Sequence, residues 1–139
     1  QEEIDLCWRA LNKGYNIKYN SESVVYHVGG ATLEKSNSKK TYLNFRNSLL
    51  MLTKNLPQKS LFQVLFIRML LDGVAGAKFV FSGQFAHCWA IIHAHFSFYR
   101  LFFKNYKKRE KKQIKIYFKT ESIVYGYYVK GGTVFVDLI

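Results

Sequence analysis

The sequence predicts a mainly α-helical chain with one short β element near its start. Apolar residues recur at helical spacing over most of the 139 residues, only one proline interrupts them, and the concentrated β-prone run lies between Asn16 and Val28. A hydrophobic share of 49 % suffices for one modest core and is too high for a chain disordered throughout.

The elements follow in order. Residues 2–13 set Ile4, Leu6, Cys7, Trp8 and Leu11 among charged positions with Gly14 just beyond, which predicts a helix closed by a glycine C-cap. Glu2, Glu3 and Asp5 fall in its first turn, where carboxylates complement the positive end of the helix dipole. Asn16–Tyr19 and Ser23–Val28, separated by polar Asn20, Ser21 and Glu22, predict strand, turn, strand, broken by Gly29-Gly30. Tyr42, Phe45, Leu49 and Leu52 predict a helix over 39–55, stopped by Pro57. From Ser60 to Tyr106 the chain is strongly apolar and predicts two helices with a kink or turn between them, Gly73, Gly76 and Gly83 being the expected bends.

The stretch from Phe79 to Tyr99 carries no Asp, Glu, Lys or Arg over 21 residues, which is long enough to cross a bilayer. His87, His93, His95, Gln84 and its serines favour an interfacial or re-entrant helix instead. A basic run broken by aromatic residues follows from Lys104 to Lys119, and Gly131-Gly132 predicts a turn near the end.

Twenty-one Lys and Arg against nine Asp and Glu give a net charge of +12, which calls for an anionic partner: nucleic acid, a phosphorylated ligand or an acidic membrane surface. Cys7 and Cys88 form no metal-binding spacing and suit a reducing, cytoplasmic setting. His93 and His95 face different directions on a helix and lack carboxylate or thiolate company, so the histidines predict satisfied or interfacial side chains rather than a metal site.

Several residues could carry chemistry. Glu2, Glu3 and Asp5 are the carboxylates able to act as a general base, set against their simpler role as helix-end charges. His27, ending the expected strand, is either a metal or diphosphate ligand or an ordinary strand-end histidine. Gly29 and Gly30 allow backbone amides to approach a phosphate, or make a turn. Arg46 has the planar fork that suits phosphate and stands near Tyr42 and beside Asn47; the alternative is a solvated or core-capping arginine.

Glu2-Glu3-Ile4-Asp5-Leu6-Cys7-Trp8-Arg9, then Ser23-Val24-Val25-Tyr26-His27-Val28-Gly29-Gly30-Ala31-Thr32, then Lys40-Thr41-Tyr42-Leu43-Asn44-Phe45-Arg46-Asn47, in this order and spacing, resemble the end of the catalytic domain of family 2 glycosyltransferases. The resemblance implies an inverting enzyme of GT-A type, an α/β fold whose nucleotide-binding half is missing here, so that the chain alone is inactive. It implies that Glu3, the second member of the acidic pair, is the base, with Glu2 and Asp5 supporting or positioning it. It assigns donor or phosphate contacts to Arg46, Gly29, Gly30, Tyr42 and Asn47.

It further implies a divalent cation (Mg or Mn), with His27 completing a site whose principal ligands come from an upstream Asp-X-Asp motif; the chain's own aspartates, Asp5, Asp72 and Asp137, form no such motif. The expected partners are a nucleotide-sugar donor, a hydroxyl acceptor on a glycan or lipid, and an anionic membrane surface. The expected place is the cytoplasmic face of the inner or plasma membrane, in peripheral or integral association, in cell-surface glycan synthesis. On this reading residues 1–57 end the catalytic domain, 58–106 form an apolar membrane-associating helical extension, and 107–139 form a basic, aromatic-rich tail.

The alternative is a non-catalytic basic membrane-surface or scaffolding module. Nucleic-acid binding through Lys104–Lys119 is the weaker reading, because no recognisable nucleic-acid fold accompanies that run.

Overall fold

The structure, a computed structural model, describes residues 2–26 and 37–110, with Ile114 and Gly131. Four helices form among the described residues: α1 (Glu2–Asn12), α2 (Ser38–Asn55), α3 (Gln58–Phe81) and α4 (Phe85–Tyr106).

Local chemistry sets their ends. At the close of α1 the Gly14 N–H donates to Leu11 O at 2.9 Å and the Tyr15 N–H to Ala10 O at 3.0 Å, a Schellman pair. Gly14 adopts a φ of +88°, which L side chains resist. The same device ends α3, where Gly83 (φ +70°) donates to Val80 O at 3.0 Å and Gln84 to Phe79 O at 2.8 Å. Asn37 caps α2 by accepting the Lys39 N–H at 2.9 Å. Pro57 forces Leu56 into an extended conformation, which stops α2 and lets α3 begin at once.

The helical expectations for 2–13 and 39–55 and for two helices after Ser60 agree with these bounds; the β element does not. Residues 16–26 are irregular, with a turn in which Asn20 Oδ1 accepts the Glu22 N–H at 3.0 Å, and no strand occurs among the described residues. A β-prone sequence needs a neighbouring strand to accept its ladder, and among the described residues none stands beside this one. Tyr19 and Tyr26 are accordingly 92 % and 95 % exposed. Gly73 and Gly76 lie inside α3, and only Gly83 marks a bend. That bend divides the 79–99 stretch between two helices, so no single helix occupies it.

Helix α2 alone contacts each of the other three. It runs in the same direction as α4, since Thr41 meets His87 near their starts and Thr53 meets Arg109 near their ends. Helix α3 returns antiparallel between those ends. Leu49, Leu56, Leu61, Leu65 and Phe98 form the buried core, with Trp8 of α1 packed against it.

Among the described residues one charge lies inside. Asp72 on α3 is 1 % exposed, with Arg68 Nε 2.9 Å from one carboxylate oxygen and His95 Nε2 of α4 3.1 Å from the other. A buried carboxylate needs such partners to offset its lost hydration.

No helix among the described residues is long and apolar enough to cross a membrane.

The packing makes a testable distinction. Leu49→Ala should cost about 2–5 kcal/mol in urea unfolding, the range for emptying a closed leucine site. Phe103→Ala, at a position 73 % exposed, should stay within about 0.5 kcal/mol. Equal midpoints for the two variants would contradict the assigned core.

Candidate functional site

The acid-bearing helix is fixed by one of its own acids. Asp5 Oδ2 lies 2.9 Å from Arg9 Nε one turn along α1 and 2.6 Å from Lys54 Nζ on α2, while Oδ1 accepts from Asn55 Nδ2 at 2.8 Å. Partial burial alone would raise the Asp5 carboxyl. Hydrogen bonds from Lys54 and Asn55, with the charges of Lys54 and Arg9, outweigh burial and hold it below the usual carboxylate range. Asn12, two residues before Gly14, adds a long contact from Nδ2 to Asn55 O at 3.5 Å.

This docking opens a groove of about 270 Å³ between α1 and α2, closed at one end by α4 and lined by Glu2, Asp5, Arg9, Asn47, Lys54 and Asn105 with Leu50 and Met51. Glu2 and Glu3 are exposed at the start of α1. Both carboxyls sit below their ordinary value, chiefly through hydrogen bonds to their own backbone N–H groups, so both are ionised near neutrality. The groove therefore sets carboxylates of α1 beside the cations Arg9 and Lys54, an arrangement suited to a polar, hydroxyl-bearing ligand.

Asn47 links the groove to a second cluster. Its Oδ1 accepts from Arg46 Nε at 3.0 Å and Nη2 at 2.9 Å, and Arg46 Nη1 donates to Tyr42 Oη at 3.1 Å. The guanidinium also lies over the Tyr42 ring at 5.0 Å. The Tyr42 hydroxyl pairs with Ser97 Oγ at 3.0 Å; that contact first, and then Arg46, hold the phenol below its ordinary value. Arg46 is thus pinned, with its remaining N–H groups the part able to meet an anion.

Of the residues singled out from the sequence, Glu2, Asp5 and Asn47 share the groove, Arg46 reaches it through its bonds to Asn47, Tyr42 holds Arg46 but lines a separate pocket between α2 and α4, and Glu3 is exposed on α1. His27, Gly29 and Gly30 lie outside the described residues. Sequence reasoning missed Arg9, Lys54, Asn55 and Asn105. Arg9 was legible as the i+4 partner of Asp5, but nothing local ties Asp5 to residues 49 and 50 positions away.

Other expected features have internal partners. His87 bonds Thr41 at 2.8 Å and stacks on Phe79, His93 tilts against Trp89, and His95 meets Asp72. Arg109, from the basic run, donates to Thr53 O and Leu56 O. Among the described residues no three His, Cys, Asp or Glu side chains gather into a metal-holding group, so these residues supply no cation geometry from which to derive a step.

Comparison of the chain with protein-family models, with curated proteins and with solved structures returned no match.

The Asp5 contacts predict an acid-labile α1. A carboxyl whose folded-state value is depressed contributes stability above its unfolded value, about 3.9, and loses it as pH falls through the lower folded value. Asp5→Asn should cost about 1–3 kcal/mol near pH 7 and flatten the loss of stability below about pH 4. A pH–stability curve unchanged by the substitution would show that Asp5 does not hold the helix.

Proposed function

We propose that the chain is the C-terminal part of an inverting family 2 glycosyltransferase, transferring a sugar from a nucleotide-sugar donor to a hydroxyl of a glycan or lipid-linked acceptor in cell-surface glycan synthesis. The observation that carries this reading is the division of labour on α1: Asp5 is bound to α2, while Glu2 is exposed in the lining of a polar groove and Glu3 is exposed beside it on the same helical turn. The motif in which those acids sit, with the strand-like run and the Tyr42–Asn47 segment after it, is the sequence support.

In the reaction the acceptor oxygen attacks the anomeric carbon as the bond to the nucleoside diphosphate breaks, and Glu3 takes the acceptor proton. A single displacement inverts the configuration. Asp5 is a positioning residue, because its oxygens are committed to Lys54, Asn55 and Arg9. Arg46, held by Tyr42 and Asn47, meets the negative charge of the departing diphosphate. The nucleotide-binding half, a divalent cation and its principal ligands belong to the rest of the polypeptide on this reading, which works at the cytoplasmic face of the inner or plasma membrane.

A non-catalytic membrane-surface module is the second reading. Its support is the apolar outer side of α3 and α4, which a sugar transferase does not need for chemistry.

The test is sugar transfer by the intact polypeptide, including sequence upstream of Gln1, across a panel of nucleotide sugars with and without a divalent cation. Glu3→Gln should lower turnover about 100- to 10,000-fold, the usual worth of a positioned base, and leave donor binding unchanged. Undiminished turnover would move the base to Glu2, and the absence of transfer from every donor would favour the membrane-surface module.

A further inference from the structure

The outer sides of α3 and α4 are apolar where a helix on a water-facing surface is polar. On α4, Phe85, Trp89, Ile92, Phe96, Tyr99 and Phe103 recur every three or four residues and are all exposed. The core-facing Ala90, Ile91, Ala94 and Phe98 occupy the opposite side, so α4 is apolar twice over. On α3, Phe62, Phe66, Leu70 and Val74 form a second exposed stripe at four-residue spacing, opposite buried Leu61, Leu65, Asp72 and Gly76. Phe66 and Phe96 are 60 % and 67 % exposed.

Charge selects what covers these stripes. Between Asn37 and Arg109 the only acidic residue is Asp72, and it is sealed inside with Arg68 and His95. The exposed formal charges of α3, α4 and the turn after them are therefore all positive: Lys59, Lys78, Arg100, Lys104, Lys107 and Lys108. Arg100 and Lys104 each follow a stripe residue by one position, about 100° around the helix, placing cations along the flank of the apolar strip. A second copy of this chain docked by the same face would set lysine against lysine, with no exposed acid on α3 or α4 to answer it. A bilayer surface supplies both missing complements, acyl chains for the aromatic stripe and anionic headgroups for its basic border.

We propose that the outer sides of α3 and α4 form a docking surface for anionic lipid bilayers, lying in the interface rather than crossing it. Phe66, Phe96 and Trp89 enter the acyl boundary while Arg100 and Lys104 extend along it to the headgroups. This gives the membrane location of the proposed transferase a specific surface and lipid chemistry; it rests on that reading for place and not for sugar transfer.

The test is co-sedimentation of the full chain with phosphatidylcholine vesicles, pure or containing phosphatidylglycerol, with tryptophan emission as a second readout, assigned to Trp89 rather than Trp8 by its loss in Trp89→Phe. Anionic vesicles should bind the chain and shift that emission to the blue; pure phosphatidylcholine should do so at least tenfold less well. Lys104→Gln should weaken binding about fivefold. Phe66→Ser with Phe96→Ser should weaken it about tenfold or more, with helical content and melting unchanged. Indifference to lipid charge, full binding by the apolar double variant, or a dimer that the double variant disrupts in place of vesicle binding would each overturn the proposal. Vesicle binding without sugar transfer leaves it standing and removes only the transferase, whereas transfer without vesicle binding removes only the docking surface.

Discussion

The fold depends on how the buried C-terminal turn of α2 is satisfied. A helix end leaves carbonyl groups without intrahelical donors, and here Thr53, Asn55 and Leu56 are all buried. Arg109 donates to the carbonyls of Thr53 and Leu56, and Asn12 reaches that of Asn55. The side chains of the same turn face the opposite problem and solve it with the opposite partner: Lys54 and Asn55 donate to Asp5. Residues from both ends of the described chain therefore converge on four residues of α2. Asn12 continues the link, accepting the backbone N–H of Ile114 at 3.1 Å.

The hub also explains how a chain of net charge +12 tolerates its own repulsion. Few carboxylates exist, and the two that hold helices together are each shared among several donors: Asp5 among Arg9, Lys54 and Asn55, Asp72 between Arg68 and His95. Removing one donor leaves the charge partly answered; removing the acid strands several cations at once. Among the described residues, unanswered positive charge is left at the surface of the α3 and α4 hairpin, where no exposed acid offsets it.

Helix positions were legible because their signals are local. Gly14, Pro57 and Gly83 each act within a few residues, and each marks a helix boundary, whereas the Asn37 cap of α2 emerged only from the structure. Gly73 and Gly76 misled because a glycine bends a helix only when its φ or its neighbours demand it, and both remain helical. The run from Asn16 to Tyr26 misled for a different reason: strand formation is decided by a partner, which local sequence does not contain. The site was half legible on the same principle. Tyr42, Arg46 and Asn47 lie within six positions on one helix and meet through local geometry, whereas the Asp5 contacts to Lys54 and Asn55 exist only after α1 and α2 pack.

Fixing Asp5 on α2 has a directional consequence for the other two acids. Successive residues turn by about 100° around an α-helix, so Glu2 stands about 60° from Asp5 and Glu3 about 160° from it on the shorter way round. Glu2 therefore shares the groove with Asp5, as its lining shows, and Glu3 is turned away from α2. The contacts that Asp5 makes thus do more than stabilise α1: they set which of its acids lines the groove and which stays on the exposed side of the helix.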